Sequence, residues 1–289
     1  MKKFIILIPV YNDWQSVFKL IEKIDEQINN ETVDVIIIND ASTDTCENNK
    51  NNYLKLHSVK IINLKINGGH RKAIATGLKF CKENLEFDYI IPMDGDGEDR
   101  PEELVDFFNK VQNSSSEVTV GIRVKRSEGI LFKFLYAVHK IFTQIITGKV
   151  IRFGNYSCLS KSAVEKLLSS GSLWLSFSGS VAKNFPKFET IQSIRGSRYF
   201  GPSKMSLFKL LLHSFRISSV FKVAVFLRMS LFIFLFLFLT YSLSLNFIGF
   251  VLAGLIVLIL VIYLSVDDDI NKLNNSLENI KDLTNIYSR

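Results

Sequence analysis

The first hundred residues alternate between short β-branched runs and amphipathic stretches. Residues 4–10 (FIILIPV) read as a buried strand and residues 33–39 (VDVIIIN) as a second, with a third over 60–64 and a fourth over 89–93. Helical patterns fill the gaps. Asp13 stands where a cap opens a helix running to about Gln27, residues 71–83 form another, and Pro101 fits the first turn of a helix through Val111. Strands alternating with helices predict an α/β layer with a mostly parallel sheet, and residues 118–121 add a fifth strand. Ligands in such sheets bind outside the C-terminal strand ends. Tyr11, Asp40, Asn67 and Asp94 fall at or just beyond four successive ends.

The pattern changes after residue 130. Residues 130–146 carry Phe, Leu, Tyr and Ile in helical spacing and read as a core helix, with a lipid-facing role as the alternative. In SLFKLLLHSFRISSVFK, starting at Ser206, Lys209, His213 and Arg216 share one face, as on a helix lying in a membrane interface. Residues 229–266 contain no charge at all. As one helix that run would span about 57 Å at ~1.5 Å per residue, against a bilayer core of about 30 Å. Two spans fit, over 225–243 and 247–266, with SLSLN at 242–246 as the turn and Arg228 able to snorkel from the first. The expected division is a catalytic domain over 1–205, a juxtamembrane helix over 206–224, the hairpin over 225–266 and a tail over 267–289. The tail is polar and acidic, helical or loose, with no chemistry to assign.

Composition agrees with a membrane-attached chain: 47% of the 289 residues are hydrophobic, 24 of them Phe. The net charge of +7 matters through its placement. Lys204, Lys209, Arg216 and Lys222 precede the first span and Arg228 lies in its first turn, without an intervening acid, so the large domain and the tail are expected in the cytoplasm, with the protein multi-pass in the plasma membrane. Interleaved with Leu and Phe, this cluster suits a lipid surface and not nucleic acid. MKKFIILIPVYND is too short in its apolar part for a signal peptide and contains Pro9. Cys46, Cys81 and Cys158 have no metal or disulfide spacing, which fits a reducing compartment.

The chemistry concentrates in YIIPMDGDGEDRPE at 89–102. Asp94 and Asp96 share one side of an extended chain, at the end of a buried strand. An isolated Asp-x-Asp is commonly a solvated turn. A calcium loop counted from Asp94 fails, because its sixth and twelfth positions hold Asp99 and Val105. A carboxylate pair of this kind can hold a hard divalent cation, and that cation a diphosphate.

Several motifs in order carry a resemblance: IPVYND at 8–13, NDASTD at 39–44, NGGHRKAIATGL at 67–78, MDGDGEDRPEEL at 93–104, GIRVKR at 121–126 and RYFGPSK at 198–204. The chain resembles the family 2 glycosyltransferases of GT-A fold, in particular membrane-attached enzymes that move a sugar from a nucleotide onto polyprenyl phosphate. The resemblance implies a Mg2+ or Mn2+ ion on Asp96 and Asp94, and a nucleotide-sugar site formed by Pro9, Tyr11, Asn12, Asp40, Asn67, Arg71, Lys72 and Asp94. His70 shares the helix start with Arg71 and Lys72, and the sequence does not say which of the three meets phosphate. Asp40 could instead cap a helix, and Asp44 is more readily a cap. The acceptor or diphosphate would fall to Arg123, Arg126, Asn155, Arg198, Ser203 and Lys204, with a structural ion pair the alternative for the first two. Asp94, Asp96 and Asp99 form the catalytic set, Asp99 as base or acceptor contact. The implied reaction inverts the sugar and feeds cell-surface glycan assembly, and the partners are the donor, polyprenyl phosphate and the bilayer, with room for a homo-oligomer.

Two departures from the family pattern stand out. Asn155 replaces the usual Asp and cannot serve as a base, which favours a phosphate acceptor over a sugar hydroxyl. Gly97-Glu98 replaces Leu-Gln, expected to loosen the loop and add an acid near the metal. The remaining alternatives are a transferase acting on a hydroxyl of a lipid-linked glycan and a weakly active nucleotide-sugar-binding subunit.

Overall fold

The computed structural model describes residues 1–46, 52–114, 116–125, 141–202, 207–243 and 247–289. One eight-stranded sheet runs in the order β7-β5-β6-β4-β1-β2-β3-β8. Its strands are β1 (Lys3–Val10), β2 (Thr32–Asn39), β3 (Ser58–Leu64), β4 (Tyr89–Pro92), β5 (Val118–Lys125), β6 (Phe153–Ser160), β7 (Glu189–Ile194) and β8 (Ile280–Ser288). Side chains of β1 alternate between two cores. Phe4, Ile6 and Ile8 face the layer of α1 (Trp14–Gln27) and α3 (Leu104–Asn113), while Ile5 and Leu7 face α2 (His70–Asn84) and the helices over 161–184. A strand covered on both faces must be apolar at every position, which is why FIILIPV lacks polar alternation.

The pairing explains what gathers at one end of the sheet. β1 pairs in parallel with β2 on one side and with β4 on the other, so strand order reverses direction at β1. β6 is antiparallel to both β4 and β5, which puts its beginning, with Asn155, beside the end of β4. β5 and β7 are parallel to each other, so Arg123 and the segment after Ile194 emerge at that same end.

The tail departs from its expectation. Residues 280–288 form β8, antiparallel to β3 from Leu64↔Ile280 to Ser58↔Ser288. Asn63 donates from Nδ2 to Asp282 and Thr284, and Tyr287 meets Tyr53 edge-on at 5.5 Å. An edge strand keeps one side in water, so its polar composition hides it from a hydrophobicity reading.

Two helices, Lys222–Leu243 and Ile248–Ser265, are long and apolar enough to cross a membrane. They pack as a hairpin: Gly254 admits Ile233, Val225, Met229, Leu258 and Val261 share a small core, and Phe236 stacks on Phe250 at 5.0 Å. Leu231, Phe234, Ile256 and Ile259 point outward and are exposed. Of the expected turn, residues 244–246 lie outside the described residues, as do residues 130–140 of the apolar segment. Its described end, helical over 141–147, is not a core helix: Ile146 joins the hairpin core but Ile141 and Ile145 are exposed. Arg228 donates to the Ile146 carbonyl at 3.4 Å, satisfying the end of that helix.

Candidate active site

The ends of β4 and β5, the beginning of β6, the start of α2 and the segment after β7 meet around the acidic turn of Asp94 and Asp96. Asp94 Oδ1 lies 3.1 Å from His70 Nε2 and accepts from Asn155 Nδ2 at 3.3 Å, while that Nδ2 is also 2.8 Å from the His70 ring. The antiparallel β6 thus delivers Asn155, and the first residue of α2 delivers His70, to one carboxylate. Burial opposes ionisation of Asp94, but the His70 charge and hydrogen bond, the Arg123 charge and the Asn155 hydrogen bond together outweigh it and hold its pKa below the usual range. Burial likewise opposes the His70 charge, and Asp94, with Asp99 and Asp96 behind it, raises the imidazole pKa.

Asp99 is 2% exposed; it accepts the Asp94 backbone N–H at 3.0 Å and lies 3.4 Å from Arg123 Nη2. Burial and then the Asp94 charge push its pKa up to about 7. So enclosed, Asp99 braces the turn and balances Arg123. Burial, then Asp94, also raises the pKa of Asp96. Asp96 accepts the Glu98 N–H on Oδ1 at 3.0 Å, and its Oδ2 meets Arg198 Nη1. The other arm of Arg198 binds Asp13 at 2.6 Å. Asp13 begins α1 as expected, but its carboxylate caps no backbone N–H; it holds Ser16 Oγ at 2.6 Å and Arg198.

The loop Gly97-Glu98 is not loose. Gly97 has φ +88°, and a Cβ there would lie 2.7 Å from the Tyr199 ring. The Glu98 carboxylate turns to Arg195, its carbonyl accepts the Gly196 N–H at 2.8 Å, and the Asp96 carbonyl accepts the Tyr199 N–H at 3.0 Å. The segment after β7 therefore clamps the acidic turn, and the added acid is neutralised by its own arginine.

Around β1 and β2 the expected nucleotide residues divide. Tyr11 is exposed beyond β1, and Pro9 is buried within it with its carbonyl against Gly95. Asn12, at φ 50°, accepts from Thr43 N at 2.8 Å and donates to Thr43 Oγ1 at 2.9 Å, fixing the loop after β2. Asp40 is 2% exposed, and its two oxygens accept Gly68 N and Gly69 N, each at 2.8 Å. Asp40 thus shapes the loop leading to His70. Asn67 is exposed and turns its Oδ1 to Gly69 N at 3.1 Å. Arg71 is engaged by the Trp174 carbonyl at 2.8 Å and Asp267 at 2.9 Å, and Lys72 lies 5.2 Å over the Trp174 ring. Arg126, Ser203 and Lys204 lie outside the described residues.

His213, expected on the polar face of an interfacial helix, lies on the helix Leu207–Ser219 within electrostatic reach of His70, Asp94, Arg71 and Arg216. Its side chain is exposed on the helix surface, and partial desolvation by the surrounding protein, then the His70 and Arg216 charges, lower its pKa from the ordinary imidazole value. Asp13 and His70 were visible in their motifs, but no local pattern pairs them with Arg198 and Asp94.

A hard cation asks for oxygen donors, and Asp94 and Asp96 supply carboxylates of the right chemistry. Among the described residues no group of three or more His, Cys, Asp or Glu side chains could hold a metal. Their oxygens are already engaged, Asp94 Oδ1 by His70 and Asn155 and Asp96 Oδ2 by Arg198, so an ion held here would have to displace Arg198 and draw further ligands from elsewhere.

The glycosyl transferase family 2 profile matches residues 5–167, and the chain belongs to that family. It is 26% identical over 220 residues to the undecaprenyl-phosphate 4-deoxy-4-formamido-L-arabinose transferase of Serratia proteamaculans, covering 73% of this chain and 65% of that protein. It is 24% identical over 162 residues to the dodecaprenyl-phosphate galacturonate synthase of Rhizobium johnstonii, covering 54% of this chain and 46% of that one. The chain therefore spans less than two thirds of the length of each. The fold is GT-A-like: glucosyl-3-phosphoglycerate synthase of Mycobacterium tuberculosis, solved with Mn2+, UDP-glucose and phosphoglyceric acid, superposes with a TM-score of 0.54. That match has 13% identity and covers 78% of this chain and 80% of the other.

Proposed function

We propose that this protein is a membrane-attached glycosyltransferase that moves a sugar from a nucleotide sugar to polyprenyl phosphate, with inversion, at the cytoplasmic face. One observation carries the reading: the acidic turn at the end of β4 and an apolar two-helix hairpin belong to one folded unit, joined through β8 and the Arg71–Asp267 pair. An acceptor anchored in the bilayer explains why a soluble sheet is tethered to such a hairpin. The family assignment supports transfer from a nucleotide sugar, and the basic residues before the first span support the cytoplasmic orientation.

In this reading a phosphate oxygen attacks the anomeric carbon, and the bond from that carbon to the diphosphate breaks with its electron pair leaving on the nucleotide. A Mg2+ or Mn2+ ion on Asp96 and Asp94 would supply positive charge for the departing diphosphate. Tyr11, the loop after β2 fixed by Asn12 and the loop before α2 shaped by Asp40 line the nucleotide side. Arg198, already at Asp96, is placed to move onto the diphosphate, where its fork of donors suits phosphate. His70 and Arg123 neutralise the carboxylates around the reacting centre. Asn155 is an amide, and an anionic phosphate acceptor needs no base from it.

The test offers membranes carrying the protein a panel of UDP-, GDP- and dTDP-sugars with undecaprenyl or dolichyl phosphate, and reads the lipid fraction by mass spectrometry. One donor should add a single sugar to the lipid phosphate, and Asp96→Asn should abolish this while the protein stays folded and inserted. Mass gained only by longer lipid-linked glycans would refute the phosphate acceptor. Full activity of Asp96→Asn in excess magnesium would refute the metal role.

A further inference from the structure

A cluster of cations lies between the catalytic cleft and the base of the hairpin, apart from the acidic turn. Arg71 and Lys72 enter it from the start of α2, Arg216 from the helix Leu207–Ser219, and Lys272 from the short helix Ile270–Asn274. Asp267 is the carboxylate among them, 2.9 Å from Arg71 Nη2 and 3.7 Å from Lys272 Nζ. Arg216 lies within electrostatic reach of Arg71 and Asp267, and Lys72 within reach of Arg71, Lys272, Arg216 and Asp267. Arg71 and Lys272 thus flank Asp267 directly, with Arg216 and Lys72 within electrostatic reach, in a partly buried setting. Burial, and then neighbouring positive charge, lowers the pKa of Arg216 and, despite Asp267, that of Lys72.

Two donors in this region are also left over. Arg216 Nε and Trp174 Nε1 are buried and have no hydrogen-bond partner among the described residues. Buried donors are normally satisfied, so two of them beside excess positive charge call for an anionic acceptor. Guanidinium and ammonium groups together with N–H donors suit a phosphate. The helix bearing Arg216 is joined by the two-residue turn Val220-Phe221 to the first hairpin helix, which puts the cluster near the base of the hairpin, where a phosphate carried by a lipid would arrive. His213, in reach of both Arg216 and His70, connects it to the cleft.

We propose that Arg216, Lys72, Lys272 and Trp174 form a second phosphate site, distinct from the acidic turn, which holds a lipid-borne phosphate at the membrane surface beside the catalytic cleft. The proposal rests on the membrane-facing reading above. Arg71 is tied to Asp267 and the Trp174 carbonyl and shapes the site. The phosphate belongs either to the acceptor or to an anionic headgroup of the bilayer.

The test uses the full chain in detergent, titrated calorimetrically with inorganic phosphate and with farnesyl phosphate, and vesicle flotation on phosphatidylglycerol against phosphatidylcholine. Arg216→Gln combined with Lys272→Gln should weaken phosphate binding at least tenfold, and Asp267→Asn, which removes the competing carboxylate, should strengthen it severalfold. A loss confined to farnesyl phosphate makes the acceptor the occupant, and a loss confined to phosphatidylglycerol flotation makes it the headgroup. Wild-type binding of every probe by a folded double variant would overturn the site. If the double variant fails to fold, Lys272→Gln alone decides: weaker phosphate binding supports the site, and unchanged binding overturns it. These readouts need no sugar transfer, so the site can stand if the donor panel yields no product, and it can fall while transfer proceeds.

Discussion

Asp40 offers the sharpest test of how the site is built, because both oxygens of its side chain are engaged by the loop leading to His70. Asp40→Ala removes two hydrogen bonds of 2.8 Å, to Gly68 N and Gly69 N, from a carboxylate that is 2% exposed. A bond to a charged acceptor is worth about 1.5–3 kcal/mol, so two set an upper bound of about 3–6 kcal/mol. Burial takes part of this back. It raises the Asp40 pKa above 3.8, despite the glycine N–H groups, so ionisation costs stability as pH rises through the folded value. A net loss of about 2–4 kcal/mol remains, or about 5–12 °C in melting temperature for a domain of this size. Asp40→Asn is no milder, since its NH2 group faces a glycine N–H. Circular-dichroism melts of the full chain in detergent at neutral pH measure the effect, and UDP titration reports the loop carrying His70. A melt within 1 °C of wild type for both variants would refute the clamp and return Asp40 to a ligand-facing role.

Two further outcomes are expected from neighbouring elements. Gly97→Ala should lose about 1–3 kcal/mol and impair transfer, because φ +88° is strained for Ala and its Cβ would strike the Tyr199 ring; differential scanning fluorimetry and the donor assay check both. Asp267 has a pKa held below 3.8 by Arg71, although burial works the other way. Its contribution, about 1 kcal/mol for a partly exposed pair, is therefore full above the unfolded value and lost as pH falls through the folded one. Asp267→Asn should lower the melting temperature at pH 7 but converge with wild type in strong acid, and a constant gap down to pH 2 would contradict this.

Much of this was legible in the chain. FIILIPV and VDVIIIN had to be strands covered on both faces, since continuous β-branched runs this short suit little else. A charge-free run too long for one crossing had to fold back on itself. The acidic turn, Asn67 and Tyr11 were placed at one end of the sheet by chain order alone. Strand β8 was not legible, because an edge strand with one wet side carries no hydrophobic signature. Nor was the firmness of Gly97-Glu98, which depends on Arg195 and Tyr199 about a hundred positions away.

Sequence by itself determined which residues could act and on which ends of which strands they lie, because strand periodicity and buried runs are local properties. Tertiary structure alone decided their partners. The antiparallel β6 brings Asn155 to Asp94, the segment after β7 brings Arg198 between Asp13 and Asp96, and the returning tail sets Asp267 among the cations beside the apolar hairpin. Such pairings join residues more than fifty positions apart. They follow from packing and electrostatic compensation across the whole fold, which no local window of sequence contains.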